Sequence, residues 1–131
     1  MDRREAERFD HLLEQVLAEL PSHLRELLEE VPLVVEDRPS RRLMREMGLD
    51  DRRELCGLFT GVPLTDRHVD DLARLPDVIR IFREGILDAA AGRRRSPSDA
   101  ALLRQIRITV LHEIGHHFGL KEADLRELGY E

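Results

Sequence analysis

The sequence predicts an α+β fold, a small twisted mixed sheet with packed helices. Three observations predict it. Apolar residues recur at helical spacing near both ends of the 131-residue chain. Short runs rich in Val, Ile, Leu and Phe, bounded by Pro and Gly, read as strands between them. A long segment near the C-terminus is apolar on two sides, the pattern of a helix buried between layers.

Residues 3–20 read as an amphipathic helix through Phe9, Leu12, Leu13, Val16, Leu17 and Leu20. Pro21-Ser22 interrupts it, and residues 23–30 resume as a short helix carrying Leu24, Leu27 and Leu28. Leu33-Val34-Val35-Glu36 reads as a strand between Pro32 and Pro39. Residues 40–54 are charged and hold either a short helix or a mobile loop. Leu55–Phe59 reads as a second strand, turned by Thr60-Gly61-Val62-Pro63. Gly57 and Gly61 flank it and suggest a bulge or a close approach of another backbone. Asp77–Phe82 reads as a third strand, with Val78 and Ile79 breaking clean alternation, and residues 85–91 as a short helix. Arg93-Arg94-Arg95 is a basic loop, most simply a solvated one.

Ser96-Pro97-Ser98-Asp99 marks the start of the long helix, with Ser96 as N-cap, Pro97 at the first helical position and Asp99 at the third. The helix runs to about Phe118 and stops at Gly119. One apolar stripe is Leu103, Ile106, Val110 and Ile114, and a second is Ile108, Leu111, Gly115 and Phe118. Gln105, Thr109, His112 and His116 occupy the strip between them, the expected floor of a cleft. Residues 122–129 form a last helix that closes the site.

Length bounds the chain to one domain over residues 1–131. With four Phe, one Tyr and no Trp, aliphatic residues must fill the core. A net charge of −6 argues against a nucleic-acid partner, which a basic excess would attract. The single Cys56 excludes an intramolecular disulfide and reads as a small core residue of a reducing compartment. No signal peptide and no apolar span of membrane length is evident, so a cytoplasmic location without membrane partners is the expectation.

The chemistry sits in His112-Glu113-Ile114-Gly115-His116, an H-E-x-x-H pattern. Two histidines four residues apart on a helix lie one turn apart on one face and can bind one metal ion. With 6 His among 131 residues, the pattern is expected only about 0.03 times by chance. Glu113 lies beside them, placed to act as general base on a metal-activated water. Gly119 follows His116 by three residues and permits the left-handed conformation that turns a chain sharply after a helix. Such a turn brings a following carboxylate back toward the metal. Glu122 is the expected third ligand and Asp124 its competitor in the same turn. Zn2+ is the expected cofactor.

The segment His112–Leu120 followed by Asp124-Leu125 resembles the minimal zincin family, small bacterial and archaeal proteins classed as zincin-like metallopeptidases. The resemblance is strongest over residues 98–130 and extends more weakly to Gly57–Leu64 and Leu75–Phe82. It implies a zincin-like fold whose active-site helix carries the motif, a metal, and hydrolysis of peptide bonds in a peptide or protein substrate. Related zincins place a His or Asp where this chain has Glu122, one methylene longer than Asp. The resemblance also implies that the strand before the active helix, Val78–Phe82, holds the substrate as an added strand.

Other residues have plainer readings. His117 points about 100° away from His116 around the axis and reads as packed rather than ligating. His68 lies in a loop near Asp66 and Asp70, and His11 and His23 on charged helices. Tyr130 reads as packing on the last helix, with donation to an oxyanion as its functional alternative. Gly115 costs helix stability and reads as permitting close packing under the metal. Three rivals remain beside the peptidase: a zinc hydrolase of another bond such as a ribonuclease, a zincin-like binding or regulatory module without proteolysis, and a closed structural zinc site. With three ligands evident, an open position is favoured over the last.

Overall fold

The computed structural model describes residues 1–66 and 76–130. In chain order these form α1 (Arg3–Glu19), α2 (Ser22–Glu30), β1 (Leu33–Glu36), α3 (Arg41–Met47), β2 (Gly57–Thr60), β3 (Val78–Phe82), α4 (Arg83–Ala91), α5 (Asp99–His117) and α6 (Glu122–Leu128). The architecture is α+β, as the sequence predicts. Short 3-10 turns at Arg52–Glu54 and Leu64–Asp66 bracket β2. His68, read from the sequence as a loop histidine, lies outside the described residues.

The sheet is mixed, in the order β1-β3-β2. β3 is its centre, parallel to β1 with Leu33 opposite Ile79, and antiparallel to β2 with Leu58 opposite Arg80. Alternation along β3 sends Ile79 and Ile81 into the core, both fully buried. Arg80, on the other face, pairs with Glu36 at 3.3 Å. Phe82 is also fully buried, where the strand runs straight into α4.

α5 is the hub of the molecule and packs against α1, α4, β2 and β3. Its inward side buries Leu102, Ile106, Val110 and Ile114 against Phe9, Leu12, Leu13 and Val16 of α1. Each such side chain contributes roughly 1.5–3 kcal/mol by leaving water. The second apolar stripe behaves differently from the sequence expectation. Ile108 lines a cleft instead of the core, and Phe118 is 41% exposed beyond the last helical turn.

A half-buried ionic knot closes the α1 side. Arg83 donates from Nε and Nη2 to the two carboxylate oxygens of Asp10, each at 2.9 Å, and from Nη1 to Asp37 at 2.9 Å. The paired bonds to Asp10 hold the guanidinium plane, which also lies over the Phe9 ring. α1, the end of β1 and the start of α4 are thereby joined through one side chain.

The start of α5 corrects the sequence reading by two residues. Ser98, not Ser96, is the N-cap, its Oγ accepting from the Ala101 amide at 3.1 Å. Arg8 of α1 decides this. Its guanidinium donates to the Pro97 carbonyl at 2.6 Å and to Asp99 Oδ1 at 2.7 Å, so Pro97 serves a tertiary contact and stays outside the helix. β2 is likewise displaced from the expected Leu55–Phe59. The Leu55 backbone is pressed against Gly85 of α4, where a Cβ would collide with the Leu55 carbonyl oxygen. Among the described residues no helix is long and apolar enough to cross a membrane.

Candidate metal centre

α5 carries His112, Glu113 and His116 into one cleft of 820 Å³, whose walls come from β2, the segment around Leu64–Asp66 and the turn into α6. Gln105 and Thr109 lie in the same strip, as their spacing predicts. The cleft is also lined by aliphatic side chains, Met47, Leu55, Leu58 and Leu120 among them.

His112 and His116 present Nε2 atoms 3.1 Å apart. The Glu122 Oε1 atom lies 2.9 Å from His116 Nε2 and 3.3 Å from His112 Nε2. Tetrahedral zinc with bonds of about 2.0–2.1 Å needs donors about 3.3–3.4 Å apart, so this triangle is within a few tenths of an ångström of one face of such a site. The chemistry of the donors points the same way. His116 Nδ1 lies 3.0 Å from the Leu120 carbonyl, and His112 Nδ1 contacts the Tyr130 carbonyl. A carbonyl only accepts, so each Nδ1 donates to it and each ring presents Nε2 to the cleft. Two ring nitrogens and a carboxylate oxygen then converge on one point, a donor set that a cation would satisfy. These residues fit a divalent metal with nitrogen and oxygen ligands.

Glu122, not Asp124, reaches the triangle. The Asp124 carboxylate accepts from the Lys121 amide at 2.9 Å and so caps α6. A carboxylate three positions into a helix is drawn to the free N–H groups of the first turn, which removes Asp124 from competition.

Glu113 is 5% exposed and stands at the side of the triangle, its Oε2 3.9 Å from His112 Nε2. Burial pushes its carboxyl above the ordinary glutamate range, while His112, His116 and the Phe59 amide pull it down and Glu122 adds to the rise. The Phe59 contact follows from strand register. Phe82 N–H donates to the Cys56 carbonyl, so even-numbered residues of this stretch bond to β3 and the main chain of Gly57 and Phe59 turns to the opposite edge. That edge faces Glu113. Gly57 has to be small here, since a Cβ would stand 3.1 Å from both Glu113 Cγ and Thr109 Cγ2.

This register also corrects the expected substrate strand. Val78–Phe82 is flanked on both sides, by β1 and β2, and offers no free edge. Among the described residues β2 has no second strand partner, and β2 is the one that lines the cleft.

Three glycines act where conformation or contact demands them. Gly119 has φ +93 and closes α5 with bonds from Gly119 N–H to the His116 carbonyl and from Leu120 N–H to the Gly115 carbonyl, the Schellman pattern. A Cβ at Gly119 would also collide with the Thr65 side chain. Gly115 makes the notch into which Leu125 of α6 inserts, and a Cβ there would overlap Leu125 Cδ2. Gly129, at φ +82, ends α6 with the same Schellman pair of bonds, from Gly129 N–H to Arg126 and from Tyr130 N–H to Leu125.

His117 is buried, as its angle predicts, edge-on to Phe59 and Phe118. Its Nδ1 lies 2.9 Å from Asp77 Oδ2, off the line of a full hydrogen bond. Cys56 lines the cleft and is partly buried, which raises its thiol to about 11. It is therefore a protonated wall residue at neutral pH. The Tyr130 main chain is the participant that sequence reasoning misses. A backbone carbonyl has no residue-type signature, and only the glycine before it hints that the chain turns back.

The chain matches the sequence profile of the zincin-like metallopeptidases over residues 28–130, which spans β1 through the last helix. No curated protein matches it.

Proposed function

This chain belongs to the zincin-like metallopeptidase family, and on that premise we propose that it is a zinc-dependent peptidase with His112, His116 and Glu122 as metal ligands and Glu113 as general base. The observation that carries this reading is the donor triangle beside a buried carboxylate whose pKa burial raises. A zinc ion held by His112, His116 and Glu122 would supply Lewis-acid activation of the scissile carbonyl and of water. Glu113 accepts the proton of the attacking water and returns it to the leaving amine. Its burial suits both transfers, because a carboxylate short of solvent holds a proton more readily. The Phe59 amide orients it from the strand side.

A peptide substrate lies along the open edge of β2, where the main chain of Gly57 and the Phe59 carbonyl face the cleft and add backbone hydrogen bonds, the Phe59 amide being taken by Glu113. The aliphatic wall of Leu55, Leu58 and Leu120 takes a side chain next to the scissile bond.

The test combines zinc content with hydrolysis of a mixed peptide library by wild type and Glu113→Gln. Wild type is expected to bind one zinc and cleave. The variant is expected to keep the zinc and lose roughly 10²–10⁴-fold in rate. Zinc binding without cleavage by wild type, on peptides or on unfolded proteins, would overturn the peptidase and leave a metal-binding module.

A further inference from the structure

α6 and the two residues that follow it meet α5 at three places. Its first residue, Glu122, brings a carboxylate to the histidines. Its middle, Leu125, fills the notch at Gly115. Its end delivers the Tyr130 carbonyl to His112. The two histidines are thus held by the same device used twice. Each is backed by the carbonyl of the residue that follows a left-handed glycine: Leu120 after Gly119 for His116, and Tyr130 after Gly129 for His112.

We propose that the Gly129-Tyr130 turn is a working part of the metal centre: the Tyr130 carbonyl fixes the orientation and tautomer of His112, and the positive φ at Gly129 turns that carbonyl toward the ring. This rests on His112 being a metal ligand. Tyr130 here is a positioning residue acting through its main chain, so its side chain is immaterial. A Schellman turn sets the direction of the next carbonyl, and it requires positive φ, which a β-branched residue resists. Loss of a hydrogen bond to the far nitrogen of a ligating histidine lowers metal affinity by about 10–100-fold.

The surroundings supply a clean experiment. A Cβ at Gly129 would meet nothing within 4 Å, so Gly129→Val acts chiefly on backbone preference. Gly48 is a matched control. It has φ +68, it ends α3 with the same pair of bonds to Arg45 and Met44, and it too has open space around its Cα. Imidazole nitrogen NMR on the metal-free protein, at a pH where the rings are neutral, reads the tautomer of each histidine directly. Zinc affinity is read by chelator competition.

In wild type both His112 and His116 are expected in the Nδ1–H form. In Gly129→Val, His112 loses that preference, His116 keeps it, and zinc binds about 10–100-fold more weakly. Gly129→Asn, which tolerates positive φ, restores both, and Gly48→Val changes neither. An unchanged His112 tautomer in Gly129→Val overturns the proposal. So does a tautomer change with undiminished zinc affinity, or an equal loss in Gly48→Val. Wild type that binds no zinc sinks the metal reading instead, and the tautomer contrast still decides whether Tyr130 orients His112.

Discussion

α1 and α6 both pack on α5, and they are held in opposite ways. α1 uses seventeen residues to bury Phe9, Leu12, Leu13 and Val16, and Arg83 and Arg8 lock its polar side to distant strands and loops. α6 has seven residues and buries one, Leu125. Glu122 and the Tyr130 carbonyl just beyond the helix both end on histidines. The first helix is therefore held by apolar area, which is present whatever the protein binds. The second is held by polar contacts that a metal would complete. A short helix with so little buried surface is expected at the low end of local stability. One of the three proposed donors is thus carried by a short helix that buries a single residue, and under the proposed function metal binding and the docking of α6 are coupled.

Phe9→Ala tests this contrast most severely. It is expected to cost about 3–5 kcal/mol, the range for truncating a buried aromatic, and to leave zinc affinity of the folded fraction unchanged. A large change in that affinity would show that the α1 side is not independent of the site. Leu125→Ala should cost less, roughly 2–4 kcal/mol, and act mainly on α6. Hydrogen exchange is expected to show α6 amides exposed while those of α1 stay protected, with zinc affinity reduced. Uniform loss of protection would make α6 an equal part of the core. Zinc at a hundredfold excess over its dissociation constant should add about 2.7 kcal/mol of stability, seen as a raised Tm, with the gain in protection concentrated in α6.

The smallest effect concerns Glu113 in the metal-free protein. Its carboxyl is raised by burial, so the folded state holds the proton more tightly than the unfolded chain does. The stability this contributes is full below the ordinary glutamate pKa and is lost as pH rises through the raised one. Glu113→Gln should therefore stabilise the metal-free protein at neutral pH, seen as a raised Tm, and flatten that part of the pH profile. A destabilised variant would mean that the hydrogen bond from the Phe59 amide outweighs the desolvation.

Much of this is legible in the sequence because it is local. Periodicity places α1, α2, β1 and α6 nearly to the residue. The spacing of His112, Glu113 and His116 puts them on one turn of one helix whatever surrounds it, and Gly119 announces the turn that follows. Gly115 and Gly57 are readable as points of close approach, though not what approaches them. What fails is non-local. The N-cap of α5 moves from Ser96 to Ser98 because Arg8, 89 positions away in the chain, claims the Pro97 carbonyl. The second stripe of α5 does not all enter the core, because one side of Ile108 borders a cleft.

Sequence alone settles which chemistry is available: two imidazoles and a carboxylate in register on one helix, a glycine to end it, and acidic residues beyond the turn. How that chemistry is assembled was left to the tertiary structure. The fold brings in Glu122 rather than Asp124, because capping α6 uses the Asp124 carboxylate. Among the described residues it makes β2 rather than β3 the open edge, because strand order depends on which segments meet and not on what each prefers. It sets the Tyr130 carbonyl behind His112. The physical reason is common to all three. Side-chain type and helical spacing are written residue by residue, whereas main-chain partners and strand neighbours are set by the path of the whole chain.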